Sequence, residues 1–165
     1  MTAAALRLAT EADLPAINDI YNYYVPRSTC TYQTEPETIE SRTAWFREHS
    51  PDKYPVTVAG CDGEIVGWGS PSRFRERAAY APTVEGSVYI RHDAHRRDLG
   101  RLILTDLIER ARQAGFHSFI GGAISSGGDQ FSSNRCPPPA RLSFLYPLSS
   151  IARHVPSQNG ATQRR

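Results

Sequence analysis

The sequence predicts a single domain of the α/β class, with a mixed β-sheet flanked by helices. The first observation is length, because 165 residues suffice for one buried core but not comfortably for two. The second is periodicity, since apolar residues alternate in some segments and recur at helical spacing in others. The third is the order of these segments, β-α-α-β-β-β-α-β, which is typical of a mixed α/β sandwich.

The chain begins with a strand followed by a helix. Residues 6–9 alternate in polarity, and Thr10 then provides a helix N-cap, with Asp13 near the position of its capping-box partner. Apolar side chains recur at helical spacing through residues 14–24, until Pro26 ends the run.

The central part predicts a second helix and a β-hairpin. Residues 39–46 have the spacing of a helix with one inward face. Residues 54–59 and 65–70 are two strands that flank Asp62-Gly63, a dipeptide suited to the positive φ angles of a tight hairpin turn.

The second half predicts a strand, a helix and a last strand. Residues 84–90 form a β-rich run. A helix starts near Gly100, because the apolar residues that follow share one face, and Gly115 closes it as the residue after its C-cap. Residues 118–124 supply the last strand.

A change in composition places a boundary near Gln130. Residues 131–165 contain five prolines, five arginines and no acidic residue, and the net charge of the whole chain is +2, so residues 1–130 carry −3. Neither a helical nor a strand period is sustained across this segment. We expect a domain over residues 1–130 and a divergent Pro/Ser/Arg-rich tail over residues 131–165.

The sequence also indicates where the protein is located and which partners it lacks. Cys30, Cys61 and Cys136 stand far apart, which favours free thiols over disulfides or a zinc site. No apolar run approaches the length of a bilayer crossing, and the amino terminus does not resemble a secretory signal. We therefore expect a cytoplasmic protein with no metal and no membrane partner. The tail arginines lack interleaved aromatics, so no nucleic-acid partner is expected.

The segment with the clearest chemical content precedes the third predicted helix. It is His95-Arg96-Arg97-Asp98-Leu99-Gly100-Arg101. A helix N-terminus offers unpaired backbone N–H groups and the positive end of the helix dipole, and clustered arginines add positive charge. The segment is a candidate phosphate site, with a solvated surface turn as the alternative.

A series of separate motifs, in order and without large gaps over residues 6 to about 124, resembles a known family. The motifs include Leu6-Arg7-Leu8-Ala9-Thr10-Glu11-Ala12-Asp13-Leu14, Tyr21-Asn22, Thr34-Glu35-Pro36, Trp45-Phe46, Phe74-Arg75-Glu76-Arg77, Thr83-Val84-Glu85-Gly86-Ser87-Val88-Tyr89-Ile90 and Ala114-Gly115-Phe116-His117. Together they are similar to phosphinothricin-type members of the GNAT superfamily of N-acetyltransferases.

The resemblance implies that acetyl-CoA is the cosubstrate. The strands at 84–90 and 118–124 are then expected to splay apart and admit its pantetheine arm. Backbone groups of Val88, Tyr89 and Ile90 would pair with that arm and polarise the thioester carbonyl. The pyrophosphate would lie in the loop formed by Arg96, Arg97, Asp98, Leu99, Gly100 and Arg101.

The resemblance also implies an acceptor site. Glu85 is the residue that similar proteins use as general base, directly or through water, since an amine must be neutral to attack; a strand-edge carboxylate in an ion pair is the alternative. Arg75 and Arg77 suit the carboxylate of an amino-acid substrate. The implied substrate-binding residues are Tyr32, Phe74, Arg75, Glu76, Arg77, Tyr80, Glu85, Gly86 and Ser87. Alternatively, the two arginines lie on a solvated strand edge, and Tyr32 and Tyr80 fill core space.

The phosphate loop departs from the family pattern. The family has glutamine or arginine, two variable residues, glycine, one variable residue, then glycine or alanine, whereas this chain has His95 and Asp98 at the first two fixed positions and keeps Gly100. Asp98 adds a Cβ and a negative charge beside the phosphate oxygens, so weakened coenzyme binding is expected. A helix N-cap whose carboxylate replaces the phosphate is the alternative role for Asp98.

The carboxy-terminal part is a second departure. Nothing in residues 131–165 matches the helix and two strands with which family members end, so these are expected to be missing or replaced. One face and one edge of the sheet would then lose their cover. Translation in a shifted reading frame would produce such an abrupt change, and a divergent tail is the alternative.

The expected function is transfer of an acetyl group from acetyl-CoA to the amine of a small amino-acid-like substrate of the phosphinothricin or methionine sulfoximine/sulfone type. The alternative is a catalytically impaired domain that only binds a ligand or a protein. Association into a homodimer is left open.

Overall fold

The computed structural model describes residues 4–123 and a strand over residues 142–147. Its helices and strands, in chain order, are β1 Ala5–Leu8, α1 Leu14–Tyr24, α2 Ile39–Glu48, β2 Thr57–Cys61, β3 Glu64–Arg73, β4 Thr83–Ile90, α3 Leu99–Gln113, β5 Ser118–Ala123 and β6 Leu142–Pro147. The six strands form one sheet in the order β1-β2-β3-β4-β5-β6. Neighbours are antiparallel except β4 and β5, which are parallel. The predicted mixed sheet with flanking helices is confirmed.

The predicted capping box of Thr10 and Asp13 forms, but on a 3₁₀ turn directly before α1, and Asp13 is the N-cap of α1 itself. The backbone N–H of Thr10 donates to the carboxylate of Asp13 at 2.8 Å, which is one half of the capping box. Arg7 donates to both oxygens of the same carboxylate, each at 2.7 Å. These bonds join β1 to the 3₁₀ turn Glu11–Asp13, which directly precedes α1. Helix α1 ends at Tyr24, two residues before Pro26.

The hairpin between β2 and β3 turns at Asp62 and Gly63. Their φ angles are 51° and 85°, as a two-residue turn with both central residues at positive φ requires. The first strand begins three residues later than predicted, at Thr57. The delay arises because the N–H groups of Lys53 and Tyr54 bond to the carbonyl of Ser50 and close a turn there.

The sheet separates two apolar cores. On one face, Ile103, Leu107 and Ala111 of α3 pack against Val84 and neighbouring buried side chains. On the other face, α1 packs against Val58 and Trp68, with Tyr89 of β4 at the margin of that core. Because side chains alternate along a strand, Glu85 and Ser87 lie on the same face as Tyr89, towards α1 and α2.

One prediction about the tail is wrong. Leu142–Pro147 is a strand, and it pairs antiparallel with all six residues of β5. The prolines of the tail lie before the strand, at its last position and after it, so they interrupt neither the six-residue run nor its ladder. Pairing satisfies the backbone groups at the edge of β5. That edge is therefore covered. Residues 131–141 and 148–165 lie outside the described residues, and so does Cys136.

Candidate coenzyme and acceptor site

The two parallel strands stay paired for only part of their length. Pairing between β4 and β5 runs from Thr83 opposite Ser118 to Gly86 opposite Gly121. Strand β4 continues to Ile90 on its pairing with β3, and no described residue pairs with it on the β5 side after Gly86. The edge of β4 from Ser87 onward therefore faces a gap, which agrees with the expected splay.

Gly86 stands where the strands part because a larger residue does not fit. A Cβ built on it would lie 1.9 Å from the ring of Phe119, which is fully buried beneath the strand. The predicted substrate role of Gly86 stays a prediction. Close packing against β5 is an independent reason for glycine there.

A cavity of about 860 Å³ occupies the gap. It is bounded by the second half of β4, by the loop before α3 and by the segment from Ser28 to Tyr32. Eleven of the predicted site residues line it: Tyr32, Glu85, Gly86, Ser87, Val88, Tyr89, Ile90, Arg96, Asp98, Leu99 and Gly100. Arg97 and Arg101 line a neighbouring cavity of about 840 Å³ on the other side of the loop.

The first turn of α3 opens into this cavity. The first intrahelical bond runs from the N–H of Leu102 to the carbonyl of Asp98 at 3.0 Å. The N–H groups of Leu99 and Gly100 precede that bond and have no carbonyl partner within the helix. Since both residues line the cavity, the helix presents free donors and the positive end of its dipole to it. The arrangement suits a phosphate group.

Asp98 caps α3 through its backbone only. Its side chain makes no capping hydrogen bond and instead pairs with Arg101 at 3.2 Å, with 80% of both side chains exposed. In the alternative role, the Asp98 carboxylate would cap α3 in the place of a phosphate, but the structure shows no such hydrogen bond. The φ angles of Asp98 and Arg96 are 58° and 62°, in the left-handed region. Glycine adopts this region most easily, which explains the glycine of the family pattern at position 98.

A contact between α1 and the phosphate loop was missed by the sequence analysis. The hydroxyl of Tyr24 bonds to the carbonyl of Ile90 and lies 2.6 Å from Nε2 of His95. The rings of Tyr24 and His95 are stacked, with planes 3° apart. Burial raises the pKa of Tyr24 to about 12, so the hydroxyl keeps its proton. This network fixes the end of β4 and the start of the loop against α1. The one sequence feature that pointed to this network is His95, which stands where the family pattern has glutamine or arginine.

Glu85 is the last but one residue of β4 that pairs with β5 before the two strands separate. It is half-buried, lies opposite Ser72 of β3 and Ile120 of β5, and lines the large cavity. A carboxylate at this point adjoins the gap where an acyl group held along β4 would end. The position fits a proton acceptor for an incoming amine.

The other predicted acceptor residues form a separate cluster. The guanidinium of Arg75 lies 5.1 Å from the ring of Phe74 and 5.4 Å from that of Tyr80. The carbonyls of Arg75 and Glu76 accept hydrogen bonds from Arg73. The structure thus brings Phe74, Arg75 and Tyr80 together before β4, but neither they nor Glu76 and Arg77 line the described cavities.

Two further observations concern the part of the chain that the structure describes. Cys30 is a free thiol, as predicted, and the thiol of Cys61 donates to the carboxylate of Asp62 at 3.6 Å. Within residues 4–123, no three His, Cys, Asp or Glu side chains come together as metal ligands, and no helix is long and apolar enough to cross a bilayer.

Partly separated parallel strands, with a helix N-terminus at the mouth of the gap, agree with the fold that the resemblance to the N-acetyltransferases implies. Comparison with known proteins is more specific. The family model described as acetyltransferase (GNAT) family matches residues 17–125. The chain belongs to this family, and it is an N-acetyltransferase.

Comparison with individual proteins agrees with the match to the family model. The chain is 40% identical over 126 residues to the L-methionine sulfoximine/L-methionine sulfone acetyltransferase of Pseudomonas aeruginosa, covering 76% of this chain and 73% of that one. It is 36% identical over 117 residues to the phosphinothricin N-acetyltransferase of Streptomyces viridochromogenes, covering 70% and 62%. Among solved structures, a phosphinothricin acetyltransferase of Sinorhizobium meliloti in complex with acetyl-CoA matches with a TM-score of 0.70 and 32% identity, over 73% and 66% of the two chains.

Proposed function

We propose that this protein transfers the acetyl group of acetyl-CoA to the α-amine of a small amino acid of the methionine sulfone, methionine sulfoximine or phosphinothricin type. One observation carries the proposal: the separated edge of β4, the N-terminus of α3 and Glu85 all line a single cavity. The named acceptors are those of the relatives described above. Cytoplasmic location and homodimer formation stay predictions.

The coenzyme is proposed to lie along the gap. Its pyrophosphate would accept hydrogen bonds from the N–H groups of Leu99 and Gly100, with Arg96 nearby in the same cavity. Its pantetheine arm would pair with the edge of β4 between Val88 and Ile90. This places the thioester near the point where β4 and β5 separate, and therefore near Glu85.

Glu85 is proposed to take the proton that the acceptor must lose. A free amino acid carries an ammonium group near neutral pH, and only the neutral amine has an electron pair to attack the carbonyl carbon. The ammonium proton passes to Glu85 directly or through water. The C–N bond then forms, the C–S bond breaks, and the thiolate of CoA leaves and takes up the second proton, which the attacking nitrogen loses as it becomes an amide.

The binding-only alternative has less support. The relatives above are described as acetyltransferases, and the cavity contains both an anion-binding helix N-terminus and a carboxylate. Asp98 reduces the fit of the coenzyme but does not remove the donors of α3, because its side chain is turned towards Arg101.

A thiol-release assay tests the proposal. The wild-type protein should release CoA thiol from acetyl-CoA when L-methionine sulfone or phosphinothricin is present, and not when the amine is already acetylated. Glu85→Gln should lower kcat by about 10²- to 10⁴-fold, the usual range for loss of a general base. Glu48→Gln, an exposed change at the end of α2, is the control. Unchanged turnover in Glu85→Gln would contradict the role of Glu85.

A further inference from the structure

A third cavity, of about 300 Å³, lies on the same face of the sheet as Glu85. It is enclosed by β3 and β4 on one side and by α1, α2 and the segment before α2 on the other. Ser87 and Tyr89 line both this cavity and the larger one. The two are therefore neighbours across β4, and a small molecule can extend from one towards the other.

All the buried side-chain nitrogen and oxygen atoms that lack a hydrogen-bond partner within the described residues belong to this small cavity. They are Nη2 of Arg42, Nε1 of Trp68 and Oε1 of Gln33. Buried polar groups are nearly always hydrogen-bonded, and an unpaired one lowers stability. The two donors, Arg42 Nη2 and Trp68 Nε1, left unpaired in one small space indicate a ligand that supplies an acceptor.

Arg42 is an unusual arginine. Only 5% of it is exposed, and its guanidinium lies 4.3 Å from the ring of Tyr21 and 5.0 Å from that of Trp45. Its Nε donates to the side-chain oxygen of Asn18 at 3.3 Å. No carboxylate among the described residues lies within ion-pair distance of it. An arginine side chain keeps its charge even when burial lowers its pKa, as it does here.

Glu37 is the acidic residue that lines this cavity. Its carboxylate accepts a hydrogen bond from Nε2 of Gln33 at 2.5 Å, and hydrogen bonds from Ser41 and Gln33 hold its pKa below the usual range. Glu37 is thus ionised and engaged with Gln33, while Arg42 retains unused donor capacity. The anion of this cavity is therefore already hydrogen-bonded, whereas the cation is not, so Arg42 is the charged group that can bind a carboxylate.

We propose that this cavity binds the α-carboxylate of the acceptor amino acid, with Arg42 Nη2 and Trp68 Nε1 as donors. The inference rests on the proposed function and adds the group that recognises the acceptor. A carboxylate held there leaves the α-amine on the side of Ser87, facing Glu85 and the gap beside β4. Arg42 then does what the sequence analysis assigned to Arg75 and Arg77, which lie outside the described cavities.

The test compares acceptors that differ only in the carboxylate. Wild-type kcat/KM is measured with L-methionine sulfone, with its α-carboxamide and with the primary amine that lacks the carboxyl group. The acid should be preferred by about 10- to 100-fold, the range expected for hydrogen bonds to a charged group. Arg42→Met should remove the preference by lowering kcat/KM for the acid alone, mainly through KM. Trp68→Phe should reduce it by about fivefold.

Controls separate recognition from folding. Arg47→Met is the matched control, because Arg47 lies on the same helix with 69% of its side chain exposed. Arg75→Met tests the competing assignment. The melting temperature of each variant is measured, and Arg42→Gln, which also removes the charge, replaces Arg42→Met if that variant does not fold.

Three results would overturn the proposal. They are equal use of the acid and the amide by the wild type, an equal loss on both in Arg42→Met, or a preference lost in Arg75→Met and kept in Arg42→Met. If the wild type releases no thiol with any acceptor, the proposed function fails instead. The cavity is then tested by melting: L-methionine sulfone, and not its amide, should stabilise the wild type and not Arg42→Met.

Discussion

Replacing Asp98 with asparagine should strengthen acetyl-CoA binding. Asp98 is the N-cap of α3 and lines the cavity next to the free N–H groups of Leu99 and Gly100. Its negative charge would therefore stand close to the pyrophosphate. Asparagine removes the charge and, like aspartate, tolerates the left-handed backbone at this position.

The expected gain is modest. Two like charges about 4 Å apart repel by roughly 4 kcal/mol at an effective dielectric of 20 and by about 1 kcal/mol in bulk water. The water-like value applies, because 80% of the Asp98 side chain is exposed and Arg101 lies 3.2 Å from its carboxylate. One kcal/mol corresponds to about fivefold in Kd. Asp98→Gly should gain at least as much, since glycine adopts a φ of 58° without steric cost.

Isothermal titration calorimetry with acetyl-CoA measures this difference. Asp52→Asn is the matched control, because it makes the same charge change at an exposed turn residue that does not line the described cavities. The gain in Asp98→Asn should shrink as salt is raised, because exposed charges are screened. Equal affinity in wild type and both Asp98 variants would refute the placement of the pyrophosphate at α3.

Two further predictions concern stability. Gly86→Ala should lower the free energy of unfolding by about 1–3 kcal/mol, because its Cβ would overlap the buried ring of Phe119. Chemical denaturation measures this free energy. The control is Gly60→Ala, whose Cβ meets no atom closer than 3.8 Å and which should change the free energy of unfolding far less. Arg7 lowers the pKa of Asp13 from 3.8 to about 2, so the contribution of this ion pair is present above pH 3.8 and is lost as the pH falls towards 2. Because half of Arg7 is exposed, the stability gap between wild type and Asp13→Asn should be about 1–2 kcal/mol at neutral pH and should narrow on acidification; a constant gap would contradict the pair.

Features governed by near neighbours in the sequence could be predicted. The Asp62-Gly63 turn and the capping box directly before α1 depend on residues only a few positions apart. The end of α3 is similar: Gly115 has a φ of 81°, and the N–H of Phe116 bonds to the carbonyl of Ala111 at 3.1 Å. Backbone preference and local hydrogen bonding decide each of these, so composition and spacing suffice.

Features that depend on tertiary placement could not be predicted in this way. An arginine on a short helix is ordinarily exposed, yet Arg42 is buried because α2 packs its face over Trp68 of the sheet. Tyr24 and His95 meet although 71 positions separate them. Nothing in their local sequence marks either contact, since the partners lie on different elements.

The structure gathers most of the residues predicted to bind the coenzyme around one cavity, but not most of those predicted to bind the acceptor. Residues of β4 and of the loop before α3 gather around one space, because a strand edge and the following helix turn are continuous in the chain. The segment from Phe74 to Tyr80 lies apart. The strand at residues 142–147 was missed because prolines were taken to exclude strands throughout the tail, whereas the run up to Pro147 is long enough to pair with β5.

Identification of the reaction product is the most direct test of the central claim. Wild-type protein is incubated with acetyl-CoA and L-methionine sulfone, and the product is analysed by nuclear magnetic resonance. An acetyl group on the α-nitrogen, formed in equal amount with free CoA thiol, is the predicted result. Thiol release without an N-acetyl product, or no reaction while acetyl-CoA binds normally, would contradict it.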